Sequence, residues 1–504
     1  MELTIDRSSC VPIYRQISRE IEKKIRSEEL TAGFKLPAER RLAEELSVHR
    51  NTVIKAYNAL IASELVVVSR AKPKGYFVKE IHCAKEFDQR FFPLEKAFRY
   101  EFRHAEKKFN NIYYQSEAAD CIAFDTLIMD RRLDPVMGMA HVAEKIFNDN
   151  SNNYFKSFDQ ETEHLKENIC SLLSKQNIHV SSKNIQLLSE SNQIISYLIF
   201  LYLREGDCIA AEGPMVPDNY NIFYNRGIRV ITVPMEEDGM RMDVLEEVLR
   251  EKKPKFIYTL PNYHNPTGIT MSLKKRETLL RLATAYNIPI IEEDYQMDFT
   301  YDGPRLPSLY TLDTNRQVIY LYSFTLIFPY MIKIGYAVGP PDLIEMLGYA
   351  VSIDETTIGG IGQYFLNEYI DSGQYEAHVR LIQKEYRRRR NAMCEELDKI
   401  ADKGISYLKP GGGLLLWCTL SDDINERRLY SAARERGVLL MPGWMFYEES
   451  HNRKGHIRLS FSNVTETQIR KGIRLLGEAL DECRNQKQEK EKEKERERET
   501  EKGR

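Results

Sequence analysis

The sequence predicts an α/β layered domain preceded by an all-α, winged helix-turn-helix module. Three observations carry this. Residues 121–484 alternate apolar strands with amphipathic helices, the order that builds a sheet covered by helices. Residues 9–79 hold short apolar-faced helices joined by a tight turn, and end in a short hairpin. A length of 504 residues with 42% hydrophobic side chains supplies more than one core. The net charge of -3 rules out a general polycation, so nucleic-acid binding has to come from a local patch.

The N-terminal module comes first. Pro37 and Ala38 open a helix whose Leu42, Ala43 and Leu46 form an apolar face. Ser47-Val48-His49 makes the turn. A second helix places Val53, Ala56, Tyr57 and Leu60 inward at helical spacing. Its opening turn carries His49, Arg50, Asn51 and Thr52, all able to hydrogen-bond outward. Such a helix enters the major groove with its N-terminal residues at base edges. Two short strands then flank Lys72-Pro73-Lys74-Gly75, a basic wing suited to phosphate or the minor groove. Residues 1–80 carry 15 Lys+Arg against 11 Asp+Glu, the sign a DNA footprint needs.

Residues 80–120 are charged and aromatic without Gly/Pro punctuation, which predicts a partly helical connector. Four segments of the following domain carry chemistry. Leu260-Pro261-Asn262-Tyr263-His264-Asn265-Pro266 is a strand ending in a sharp turn, and it places Asn265 at a strand end, where open α/β sheets bind ligands. A second apolar strand delivers Glu293, Asp294 and Tyr295 to the same edge. A third delivers Ser323, Thr325 and Lys333, which suit a phosphate. A late strand delivers Arg458, a bidentate partner for a carboxylate. The last residues, 485–504, are low complexity with no apolar face, and read as a solvated helix or a disordered tail.

The eight cysteines are scattered without a CxxC pair, so neither a metal site nor a disulfide framework is signalled. The opening residues lack an apolar signal region, and no run approaches the roughly 20 apolar residues that span a bilayer. A cytoplasmic protein with no membrane partner is expected.

The stretch from Ile13 to Leu60, with its Pro37-Ala38-Glu39-Arg40 segment and the helix opening at His49, resembles the GntR-type winged helix. The resemblance implies DNA contacts from Arg40, His49, Arg50, Asn51 and Thr52, with the wing at Lys74 and Gly75. His49 replaces a smaller hydroxyl residue common in that family. The four segments of the large domain, in their order, resemble fold-type-I aminotransferases, enzymes with a three-layer mixed sheet that use pyridoxal phosphate. The fusion resembles the MocR subfamily of GntR-type regulators.

That resemblance assigns the cofactor site residue by residue. In Ser323-Phe324-Thr325-Leu326, the last position is the one that holds the Schiff-base lysine, and here it is Leu326. Lys333 falls where a phosphate-binding arginine stands. Glu293 takes the place of the aspartate that faces the pyridine nitrogen, with Asp294 as the alternative in a shifted register. Tyr295 and Asn265 match the residues beside the phenolic oxygen. Asn192 and Gln193 belong to the phosphate cup, where Ser191 replaces a glycine. Val216 replaces the aromatic side chain that stacks on the ring. Arg458 matches the substrate-carboxylate arginine.

The implied function is a transcriptional regulator, a head-to-tail homodimer on a double-stranded operator. Its aminotransferase-like domain would serve dimerisation and the sensing of an effector, either an amino acid or pyridoxal phosphate. With Leu326 in place, no catalytic residue is assigned, and pyridoxal phosphate would bind non-covalently or not at all. The alternative is a pyridoxal-phosphate-dependent aminotransferase with an appended DNA-binding domain.

Overall fold

The computed structural model describes residues 11–26, 33–63, 65–69, 74–79, 121–148, 158–328, 332–354, 358–447 and 455–502, with Leu3, Ile5 and Leu30. The connector expected at 80–120 lies outside these residues. The chain divides into two compact units, Met1–Phe98 and Arg99–Arg504.

The first unit holds α1 (Ile13–Arg26), α2 (Glu39–Glu45), α3 (Arg50–Ala62), β1 (Val66–Ser69) and β2 (Gly75–Val78). Ile17, Ile21 and Ile25 recur every four residues on α1 and are all buried. Val53, Ala56, Tyr57 and Leu60 form the inner face of α3, as their spacing predicts. The turn between α2 and α3 depends on Ser47, whose φ of 50° lies in the left-handed region. The Tyr57 hydroxyl donates to the Pro37 carbonyl at 2.8 Å and ties α3 to the entrance of α2. β1 and β2 pair antiparallel from Val66↔Val78 to Ser69↔Gly75.

In the second unit, β3 (Ile122–Ala123) opens the chain. The main sheet then uses β4 (Ile185–Leu188), β5 (Cys208–Gly213), β6 (Arg229–Glu236), β7 (Gly239–Met240), β8 (Ile257–Thr259), β9 (Ile290–Glu293), β10 (Val318–Ser323) and β11 (Gly335–Val338). Their order is β4-β11-β10-β9-β8-β5-β6-β7. β10, β9, β8, β5 and β6 run parallel, while β11 is antiparallel to both its neighbours. Alternate residues of β10 enter different cores. Ile319 and Leu321 pack with the helices Ser191–Tyr202 and Pro341–Ile353, and Val318 packs with Leu279 and Ala283 of the helix Leu273–Tyr286. Burial on both faces explains why the central strands read as continuous apolar runs. The result is three layers, with a mixed sheet between helices.

A smaller sheet follows, ordered β12 (Ile405–Tyr407), β13 (Leu415–Leu420), β16 (His456–Ser460) and β15 (Met441–Pro442). β14 (Val438–Leu439) pairs in parallel with β3, so the first strand of the unit sits beside one of its last. The closing helix runs Glu466–Lys502, and the backbone of the low-complexity end is helical as far as Lys502.

Candidate functional site

In the first unit the expected DNA-reading residues gather at the start of α3 and on the hairpin. Arg40, His49, Arg50, Asn51 and Lys74 are exposed, and Thr52 and Gly75 are half-buried. Two of these side chains already have intramolecular partners. His49 caps α3, with its Nδ1 accepting the Asn51 N–H at 3.2 Å, which satisfies one of the orphan donors of the helix start. Arg50 is held by Glu39 through Nε at 2.9 Å and Nη2 at 2.6 Å. The Tyr76 hydroxyl donates to the other Glu39 oxygen at 2.7 Å. These bonds, from Tyr76 and then Arg50, hold the Glu39 carboxyl below its usual value. One acid thus joins α2, the recognition helix and the wing strand.

In the second unit, the C-terminal ends of the parallel strands open into a cleft of about 480 Å³. The turn after β8 supplies Asn265, β9 supplies Glu293 with Tyr295 just beyond it, and β10 supplies Ser323. Asn192 and Arg458 complete the expected residues on its wall. Leu326, in a single turn of 3-10 helix after β10, lines the same space, and among the described residues no lysine does. Of the two adjacent acids, Glu293 faces the cleft. Asp294 turns to the opposite side, where Asn262 donates to it at 2.9 Å.

The cleft interior is hydrogen-bonded. Asn265 Nδ2 donates to the Tyr295 hydroxyl at 3.1 Å, and Arg458 Nη1 donates to Asn265 Oδ1 at 3.1 Å. Arg458 Nη2 donates to the Asp125 carbonyl at 2.6 Å. Burial, then Glu293, pushes the Tyr295 hydroxyl pKa up. Glu293 accepts the Ser191 hydroxyl on one oxygen and the Tyr258 hydroxyl on the other. Burial pushes its carboxyl up against these two donors.

Ser191, at the position of a phosphate-cup glycine, lines the cleft and is a partner of Glu293. Two expected residues stand elsewhere. Gln193 is off the cleft wall, its Oε1 accepting the Ser189 N–H at 3.0 Å and the Ser189 hydroxyl at 2.6 Å. Lys333 is also off the wall and pairs with Glu190 at 3.1 Å. Two expected phosphate ligands therefore already have partners, and one of those partners is an acid. The residues do not fit a covalently held pyridoxal phosphate, because no amine stands at 326.

Sequence reasoning missed Asp125, Asp218 and Tyr258 near the cleft. Asp218, in the first turn of the helix Pro217–Tyr224, reads as an ordinary helix-start acid. Asp125 follows β3 and reaches Arg458 through the β14 pairing and the bond from the Ser460 N–H to the Phe124 carbonyl, which no local pattern signals. A larger open groove of about 930 Å³, between β6 and the smaller sheet, contains none of the expected ligand residues.

Residues 135–476, well over half of the chain, match the family described as aminotransferase class I and II. The chain belongs to the class I and II aminotransferase family. Its residues 13–78 match the bacterial regulatory proteins of the gntR family. The class I and II domain with a GntR-type module before it is the domain pair of the MocR-type regulators. An uncharacterized HTH-type transcriptional regulator of Bacillus subtilis, YisV, is 26% identical over 94% of this chain and 96% of its own length. Aromatic-amino-acid aminotransferase 1 of Thermococcus litoralis is 31% identical, over 60% of this chain and 74% of its own. Among solved structures, a multiple substrate aminotransferase from Thermococcus profundus superposes with a TM-score of 0.71 at 27% identity, covering 78% of this chain and all of that one. Kynurenine aminotransferase of Pyrococcus horikoshii, solved in complex with PMP, gives 0.68 at 29% identity over 79% of this chain and 98% of its own. This class I and II chain is thus a regulator with a GntR-type helix-turn-helix and an aminotransferase-like domain.

Proposed function

We propose that the chain is a DNA-binding transcriptional regulator whose aminotransferase-like domain dimerises and senses a small-molecule effector in the cleft, without transaminase activity. The observation that carries this is Leu326 on the cleft wall with no lysine beside it among the described residues. Transamination needs an amine that holds the cofactor and shuttles protons. A leucine can do neither, and no environment tunes it to.

DNA contact falls to Arg40, His49, Arg50, Asn51, Thr52, Lys74 and Gly75 in a module at 9–79. The connector at 80–120 leads to the sensing domain at 121–484, and a charged extension follows at 485–504. Dimerisation is supported by exposed apolar side chains on adjacent helices. Phe200 is 72% exposed, Tyr349 65%, Ile353 59% and Ile361 72%. The helices Ser191–Tyr202 and Pro341–Ile353 pack on each other, so Phe200, Tyr349 and Ile353 come from neighbouring elements. Among the described residues no helix is long and apolar enough to cross a membrane, which agrees with a regulator acting in the cytoplasm.

The test is a spectroscopic titration of the full chain with pyridoxal phosphate, followed by borohydride trapping and mass analysis. The reading expects no covalent adduct. An adduct with turnover of amino acids would replace it with the aminotransferase reading.

A further inference from the structure

The charges around the cleft do not suit an anionic guest. Among the described residues four carboxylates line it, Asp125, Glu190, Asp218 and Glu293, against one basic side chain, Arg458. Glu190 is matched by Lys333. Glu293 has a hydroxyl donor on each oxygen. That leaves Asp125 and Asp218 facing Arg458, whose two Nη groups already donate to Asn265 and to the Asp125 carbonyl. A phosphate dianion entering here meets more negative charge than positive, in a partly desolvated space where charges act strongly.

A second observation points the same way. Asp125 is only 8% exposed and lines the cleft, yet its Oδ1 has no hydrogen-bond partner among the described residues. A buried carboxylate oxygen left unmatched is an acceptor waiting for a donor. Burial pushes the carboxyls of Asp125 and Asp218 up, with Arg458 opposing it in both cases. A bound cation would oppose this upward shift, as Arg458 does, and a bound anion would add to it.

We propose that the cleft takes an organic amine as its ligand, with Asp125 and Asp218 receiving the ammonium group, in preference to a phosphate-bearing cofactor. The proposal deepens the effector reading given above and rests on it for the biological role, although the binding itself does not. Arg458 then acts as an internal counter-charge that holds the two aspartates in place.

The experiment is calorimetric titration of the full chain with 1,4-diaminobutane, and separately with pyridoxal phosphate and with glutarate. Saturable binding of the diamine is expected, weakened about tenfold or more in Asp125→Asn and again in Asp218→Asn. The same substitutions should strengthen pyridoxal phosphate binding, a gain that a misfolded variant cannot show. Diamine binding that is absent, or unchanged in both variants, overturns the proposal. So does tighter binding of glutarate than of the diamine. Operator affinity measured with each probe separates the two readings. Diamine binding with no change at the operator keeps the ligand class and sinks effector sensing. A change at the operator driven by pyridoxal phosphate alone keeps sensing and sinks the ligand class.

Discussion

At the scale of single residues, the two units share a habit: side chains expected to meet a ligand are engaged within the protein. Under the proposed reading, Arg50 exchanges Glu39 for a phosphate or a base when the operator binds. Arg50→Ala is expected to weaken operator binding by about 1–3 kcal/mol and to lower the salt slope, measured by mobility shift across a salt series. An unchanged slope would remove Arg50 from the interface. In the cleft, Leu326→Lys restores the amine but not its surroundings, because Val216 does not stack and both Glu293 oxygens are taken. Transamination by this variant, assayed with pyridoxal phosphate supplied, is expected to stay at background. Turnover would show that Leu326 alone disables the site. Single residues were also where the sequence was hardest to read. It named the strand ends that carry Asn265, Glu293 and Ser323, because a sharp turn or a polar residue after an apolar run is visible locally. It could not show that Gln193 and Lys333 bond elsewhere, since their partners are set by side-chain direction. Asp125 was invisible because only the fold brings it to Arg458.

At the scale of elements, legibility followed local periodicity. The inner face of α3 was readable because four apolar residues recur at helical spacing. It rests on a small core, so Leu60→Ala should destabilise the first unit by about 2–5 kcal/mol, read as an early transition in hydrogen exchange or proteolysis confined to residues 11–79. Uniform loss across both units would mean that they do not unfold separately. β10 was readable as a strand from its unbroken apolar run, and the layer each of its residues enters follows from alternation. The parallel pairing of β3 with β14 left no such trace, as two-residue strands have no period to detect. The hairpin was readable from its turn chemistry, whereas the reach of Tyr76 to Glu39 depends on how it folds back on α2.

At the scale of the whole molecule, the exposed apolar residues give the dimer proposal a direct test. Ile361→Asp with Tyr349→Asp is expected to shift the sedimentation coefficient towards a monomer and to weaken operator binding through lost avidity. A dimer that persists would place the interface elsewhere. Stability should also respond to pH. Burial raises Glu212 and Glu292 to about 7 and Asp294 to about 6. The folded chain therefore keeps protons that the unfolded chain releases from its ordinary carboxylate range upward. These three contributions are complete below that range and are lost as pH climbs to about 7. Burial lowers His264 to about 3, and its effect has the opposite sign, with stability lost as pH falls below the ordinary histidine value. Three groups outweigh one, so the denaturant midpoint is expected to fall between pH 5 and pH 7.5, within the window those values define. A midpoint that rises across it would show that these acids are ionised in the folded state.

The pairing of β3 with β14 has a consequence during synthesis. The wall that carries Asp125 cannot close until Val438 has left the ribosome, long after Ile122. At about 5–20 residues per second that wait lasts roughly 15–60 seconds, and the DNA-binding module has been complete throughout it. The helix-turn-helix unit is therefore finished before the cleft exists, and under the proposed reading each new molecule begins its life deaf to its ligand.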